Sequence, residues 1–227
     1  MNTVFSKWEK DIGRTLNPNE KKIIKKLISE KFINEKIKQL AFNANIKNLY
    51  IGKLTELEGN CLFESLNYFG IGNNIEDLRN SLASFMFLFK NYNNLFPNIH
   101  DSLETLFKQI NDIEIVFSRN GKERIFYTYN YDIMCQDLCN STSWNMLPTQ
   151  LILMVISYIY KVEICIINSQ SDYVSNIKTH NFNTDKKIFL GQLDELHYFP
   201  LDDTDKGVPS YNKCKNEYDK WISAVKN

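Results

Sequence analysis

Cys61 stands in the stretch Leu57-Glu58-Gly59-Asn60-Cys61-Leu62-Phe63-Glu64-Ser65-Leu66, where a glycine turn meets the start of an amphipathic helix. Peptide N–H groups at a helix N-terminus lack intrahelical partners, and the helix dipole is positive there. Both effects favour thiolate over thiol, and the same N–H groups can hold a developing oxyanion. The position therefore suits nucleophilic attack on a carbonyl, as it also suits a small, buried apolar residue. A nucleophile of this kind needs a base, and the chain has only three histidines. His100 follows Pro97-Asn98-Ile99 in a loop and has no partner that the sequence names. His180 lies in the polar stretch Lys178-Thr179-His180-Asn181, which reads as a solvent loop. His197 lies on a short, apolar, late strand, either as a core histidine bonded to a carbonyl or as the base for Cys61. An intracellular chain with a cysteine at a helix start and a distant histidine fits a nucleophile and its base.

Other chemistries find less support. Cys135 and Cys139 are spaced C-x3-C without a second close pair, since Cys165 and Cys214 stand apart, so structural thiols are expected rather than a metal site. Gly70-Ile71-Gly72 lacks the third glycine and the preceding strand of a dinucleotide fingerprint. There is no phosphate-binding Gly-x4-Gly-Lys-Ser/Thr loop and no Gly-x-Ser-x-Gly elbow. No cofactor is expected. Lys+Arg and Asp+Glu both number 27, so the net charge is zero and no basic footprint of a nucleic-acid binder is present. The most apolar run, Leu151 to Tyr160, is too short to cross a bilayer, and the charged N-terminus does not read as a secretory signal. Five scattered cysteines fit a reducing, intracellular compartment.

The elements that must position Cys61 and His197 can be read from periodicity. A helical pattern begins at Asn17-Pro18-Asn19-Glu20 and runs through Leu40, followed by a polar passage from Asn43 to Asn48. The cysteine helix carries Leu62, Phe63, Leu66 and Phe69 and ends near Gly70 or Gly72. Asn74 caps the next helix, whose stripe is Ile75, Leu78, Leu82, Phe85, Met86 and Phe89. A further helix is expected at about Asp101 to Ile110. Two alternating segments around Asn120-Gly121 read as a hairpin. A short helix from Tyr131 to Cys139 and a Pro148-initiated helix through Tyr160 precede three strands, at Lys161 to Asn168, Lys187 to Gly191 and Leu196 to Leu201. A helix from Tyr211 to Val225 closes the chain. Helices come first and most strands last, which predicts an α+β fold with a small sheet against helices.

These blocks carry a family resemblance. Glu58-Gly59-Asn60-Cys61-Leu62-Phe63 resembles the nucleophile loop of the ovarian-tumour (OTU) cysteine proteases, which are mostly deubiquitinases. Tyr131 to Met134, then Trp144-Asn145 before an apolar helix, then Leu196-His197-Tyr198 resemble three further family blocks in order. The resemblance covers roughly Leu49 to Leu201 and implies a papain-like OTU fold with a mostly antiparallel sheet between helical layers. The domain reading is an N-terminal helical extension over 1–48, a catalytic domain over 49–205 and a C-terminal helix over 206–227. The implied roles are Cys61 as nucleophile, His197 as base, Glu58, Gly59 and Asn60 as the oxyanion loop, and Trp144, Asn145 and Tyr198 as substrate contacts. Two positions depart from the pattern. Glu58 replaces the usual Asp, and Phe199 holds the place, two after the histidine, where many relatives carry the Asp or Asn that orients it. Asn48 and Asp202 are the remaining candidates for that third group.

The implied function is thiol-dependent hydrolysis of (iso)peptide bonds at the C-terminus of ubiquitin or a ubiquitin-like modifier, within a cell or a host cell's cytoplasm. Alternatives are a degenerate ubiquitin-binding module and a polyprotein-processing cysteine protease. Neither nucleic acid nor membrane is expected as a partner. The acidic residues Asp194, Glu195, Asp202, Asp203 and Asp205 around His197 could receive the basic tail of such a modifier, or be solvated loop charge.

Overall fold

The computed structural model describes residues 30–53, 55, 59–110, 114–119, 123–141, 147–171, 173–181, 186–194 and 197–203, with the single positions Ser6 and Pro18. In chain order these residues form helix α1 (Glu30–Asn45), strand β1 (Leu49–Ile51), and helices α2 (Cys61–Tyr68), α3 (Ile75–Leu88) and α4 (Leu103–Ile110). The hairpin β2 (Glu114–Arg119) and β3 (Glu123–Thr128) follows, then helices α5 (Tyr131–Cys139) and α6 (Thr149–Tyr160). Strands β4 (Glu163–Asn168), β5 (Val174–Ile177), β6 (Lys187–Leu193) and β7 (His197–Asp203) complete the described chain. The expected C-terminal helix and the beginning of the N-terminal helical pattern lie outside the described residues.

The five-stranded sheet has the order β1-β7-β6-β4-β5, and every pair is antiparallel except β4 with β6. Side chains alternate across a strand, and here each face meets its own helical layer. Ile164, Ile166, Ile188, Leu190 and Tyr198 join the core built by α2 to α6. Ile167, Leu193, Phe199 and Leu201 face the other way and pack with Ile37, Leu40 and Ala44 of α1. The α+β class and the sheet between helical layers are those expected. Gly191 lets α1 approach closely: a Cβ on it would stand 2.8 Å from Leu40 Cδ2 and 3.1 Å from Leu201 Cδ2.

Local signals account for most helix boundaries. Asn74 is extended and its side chain accepts from Asp77 N at 2.8 Å, while Asn130 likewise accepts from Ile133 N at 2.9 Å. Pro148 precedes α6, which closes on Lys161 in the left-handed region at φ 50. Two features differ from the sequence reading. Helix α1 continues into the polar passage to Asn45, because Asn43 is buried and donates to Asn168 O at 2.9 Å and Ser171 O at 3.0 Å. Strand β5 was not expected: Val-Ser-Asn-Ile is an edge strand without fully buried positions, so no apolar alternation marks it.

Candidate active site

Cys61 is the first residue of α2, and the turn before it depends on Gly59, whose φ of 86 lies in the left-handed region that glycine occupies without strain. Asn60 occupies the N-cap position but makes no side-chain cap bond. Its Oδ1 instead accepts from Arg79 Nη1 at 3.1 Å. Arg79, only 1% exposed, also donates from Nε to Leu138 O at 2.8 Å and from Nη2 to Asp137 O at 3.2 Å and to Asn140 O. Its guanidinium lies 4.4 Å from the centroid of the Phe63 ring. One cation thus ties the carbonyl end of α5 to the residue before Cys61. Burial lowers its pKa to about 10, which leaves it charged at neutral pH.

The backbone N–H groups of Leu62, of Cys61 itself and, from β7, of Tyr198 act on the Cys61 thiol in favour of its thiolate. The last of these brings β7 to the sulfur, one residue from His197. Cys61 is 2% exposed and His197 6% exposed. Burial pushes the Cys61 thiol up to about 12, against the lowering effect of those N–H groups and with a smaller contribution from Glu64. The acidic thiol predicted from the helix start is therefore reversed: three N–H groups and a helix dipole do not offset removal from water. Burial likewise pushes His197 down to about 4, opposed by a hydrogen bond to the Thr55 backbone. At neutral pH the two groups are a thiol and a neutral imidazole.

The His197 ring is held on two sides. Its Nε2 lies 3.0 Å from Thr55 Oγ1. Phe199 packs against it, with ring centroids 4.6 Å apart and planes inclined at 67°. Thr55 is fully buried and donates to Tyr198 O at 2.5 Å. Neither sequence candidate for the third group comes to this ring. Asp202 accepts from the Tyr68 hydroxyl. Asn48 is exposed in a left-handed turn before β1, which pairs at Leu49 with Asp203, six residues and about 20 Å along β7 from His197. Tyr198 also differs from its expected role. It is 1% exposed and its hydroxyl accepts from Gln192 Nε2 at 2.7 Å, so its side chain is enclosed and not open to a substrate.

Glu58, Trp144 and Asn145 lie outside the described residues, as do Glu195 and Asp205. Asp194 is engaged away from His197: it accepts from Lys36 at 2.9 Å, Gln170 at 2.8 Å and Ser169 at 3.3 Å. His180 is not in a solvent loop but is 4% exposed, beside Thr179, whose hydroxyl donates to Met154 O at 2.6 Å on α6. His100 is exposed, with Nδ1 2.6 Å from Asn94 Oδ1.

Thr55 and Arg79 escaped the sequence reading. Thr55 sits in a short polar stretch with no periodicity to mark it. Arg79 did carry a signal: it is four residues after Ile75 and three before Leu82, a lone cation inside an apolar helical stripe.

No family model matches the chain, and no curated protein matches it. Among solved structures it is similar to the OTU domain of OTUD1, at 15% identity over 77% of this chain and 100% of that one, with a TM-score of 0.46. It is similar to an OTU deubiquitinase from Wolbachia pipientis wMel, at 19% identity over 75% of this chain and 96% of that one, with a TM-score of 0.46. It is also similar to an OTU domain solved in complex with ubiquitin, at 14% identity over 78% and 87% of the two chains, with a TM-score of 0.46. No helix among the described residues is long and apolar enough to cross a membrane.

Proposed function

We propose that this chain is an OTU-type cysteine isopeptidase that cleaves the bond after the C-terminal glycine of ubiquitin or a ubiquitin-like modifier. The observation that carries the reading is the meeting of the two chain ends of the motif set. Helix α2 packs on β7, which puts Cys61 at the head of α2 close enough to the Tyr198 N–H, adjacent to His197, for that group to favour its thiolate. The order of the sequence blocks from Glu58 to Tyr198 supports the same reaction.

The chemistry starts from neutral partners. Sulfur attacks the glycine carbonyl carbon while the thiol proton passes to the His197 imidazole, so a carbon–sulfur bond forms and the carbonyl oxygen becomes an oxyanion. Backbone N–H groups at the start of α2 and in the Gly59-Asn60 turn are the donors for that oxyanion, each contributing about 3 kcal/mol in comparable sites. Collapse breaks the carbon–nitrogen bond, and the imidazolium returns its proton to the departing lysine amine. Water, deprotonated by His197, then cleaves the thioester and restores the thiol. Because neither group is charged at rest, the proton transfer accompanies the attack.

The test is a ubiquitin bearing a C-terminal electrophile, incubated with the protein under reducing conditions at neutral pH. A covalent adduct that disappears with Cys61→Ala and falls sharply with His197→Ala is expected. Binding without an adduct would instead assign the chain as a ubiquitin-binding module. A panel of diubiquitins and ubiquitin-like modifiers then reads specificity.

A further inference from the structure

We infer that Arg79 is a positioning residue for the reaction: through its bond to Asn60 it fixes the turn whose backbone N–H groups receive the oxyanion. This rests on the proposed Cys61/His197 chemistry and adds a residue from α3, outside both the nucleophile loop and the histidine strand.

The turn has a demanding backbone. Gly59 is in the left-handed region at φ 86, and Asn60 follows at φ −104 and ψ 1, in the sparsely allowed region between helix and strand. An N-cap side chain ordinarily locks a helix start by accepting from an N–H of the first turn, and Asn60 makes no such bond. Two other bonds hold it. Its backbone carbonyl accepts from Glu64 N at 2.8 Å, which anchors the residue to α2, and its Oδ1 accepts from Arg79 Nη1 at 3.1 Å, which anchors it to α3. With carbonyl and side chain both held, the residue has little freedom to turn, and the N–H groups on either side of it keep one direction. Donors aligned beforehand need no reorganisation when charge develops on the carbonyl oxygen. A misplacement of about 1 Å in such groups can cost about 100-fold in rate.

Arginine suits this task because its donors lie in one rigid plane. Nε donates to Leu138 O at 2.8 Å and Nη2 to Asp137 O at 3.2 Å, both carbonyls of α5. The Phe63 ring, two residues beyond Cys61, has its centroid 4.4 Å from the guanidinium carbon. These contacts set the plane, and the plane sets where Nη1 meets Asn60. The turn is therefore registered against the end of α5 as well as against α3. A lysine offers a rotating ammonium with no plane to transmit.

The experiment has two readouts, and the first needs no activity. Backbone ¹H–¹⁵N shifts of Gly59 and Cys61 are compared among wild type, Arg79→Lys and Asn60→Ala. Removing either partner frees the same turn, so both variants are expected to move these amide resonances in a common direction. Resonances that stay in place in Arg79→Lys would overturn the inference. The second readout is kinetic, with a ubiquitin-based fluorogenic substrate. Asn60→Ala is expected to lower kcat about 10-fold and Arg79→Lys about 10- to 100-fold, each at nearly unchanged KM. The double variant should stay within about twofold of Arg79→Lys, since one bond is shared. Iodoacetamide alkylates sulfur by displacing iodide, which creates no oxyanion. Its rate at Cys61, followed by peptide mass spectrometry, is therefore expected to stay within about twofold of wild type in both variants. Alkylation that falls in step with kcat, or losses that multiply in the double variant, would reduce Arg79 to a structural role and refute the inference. Unchanged kcat in Asn60→Ala, the milder variant, would refute it even where Arg79→Lys fails to fold. A wild-type protein without hydrolysis, in variants of which the two amides still move together, would count against the proposed function and leave the Arg79 tie to the turn standing.

Discussion

Burial of His197 has a consequence for folding as well as for chemistry. Its pKa is 6.5 in the unfolded reference and about 4 in the folded protein, with desolvation as the main cause. Between these values the unfolded chain binds the proton and the folded one does not, so acid favours unfolding. The contribution is complete above about pH 6.5 and is lost as pH falls toward 4, amounting to up to about 3 kcal/mol. Urea midpoints measured at about pH 7 and pH 4.5 should therefore fall further in the wild type than in His197→Gln. Equal losses in the two proteins would show that His197 is not held neutral. Cys61 moves in the opposite sense, up to about 12, also from burial. The resting pair consequently lacks the thiolate–imidazolium character that a helix-start cysteine suggests in isolation, because the sulfur gives up water for only a few backbone donors.

Among the elements, α2, α3 and α5 are coupled at one point. At the carbonyl end of α5, Arg79 from α3 donates to Leu138 O and to Asp137 O, which also accepts from the Asn140 N–H, while its remaining nitrogen donates to Asn60 Oδ1. An Asn at an N-cap normally turns its side chain onto the first helical turn. Here Arg79 holds it away from that turn. Arg79→Lys keeps the charge but removes the planar fork, and is expected to cost about 3 kcal/mol in urea unfolding. Asn60→Ala should cost about 1 kcal/mol, and the two together less than their sum because they share a bond. Strict additivity in that double-mutant cycle would mean that the Arg79–Asn60 contact carries no energy.

At the scale of the whole molecule, the sheet is stabilised from both faces, and α1 is the smaller of the two layers. Its seat is narrow. Leu40 is fully buried and lies over Gly191, and Leu201 lies alongside. Gly191→Ala is expected to destabilise by about 1–3 kcal/mol through overpacking, and Leu40→Ala by about 2–4 kcal/mol through a cavity. In the double variant the new methyl enters the space that Leu40 leaves, so thermal unfolding should show a smaller loss than the sum of the two. Loss equal to the sum would place α1 further from β6 than described. Phe199 belongs to this same layer and touches the His197 ring, so α1 packing reaches His197 through one intervening side chain.

The sequence by itself determined what local periodicity and turn chemistry encode. The helix starts at Asn74, Asn130 and Pro148 were legible because each cap acts on its own next turn. The interior strand β4 was legible because a strand buried on both faces is continuously apolar. Cys61 at a helix start and His197 on a late strand were legible for the same local reasons, together with the α+β class. Tertiary structure decided what depends on partners far apart in sequence. Thr55 meets His197 across 142 residues, and Arg79 joins Asn60 to the end of α5, through contacts that no local pattern announces. Strand pairing sent Asp202 to Tyr68 and left Asn48 beyond the far end of β7. Packing on α6 buried His180 despite its polar neighbours. The thiol's acidity belongs to the same class. A helix N-terminus is readable from sequence, but the depth at which the fold buries it is not, and that depth sets which effect wins at Cys61.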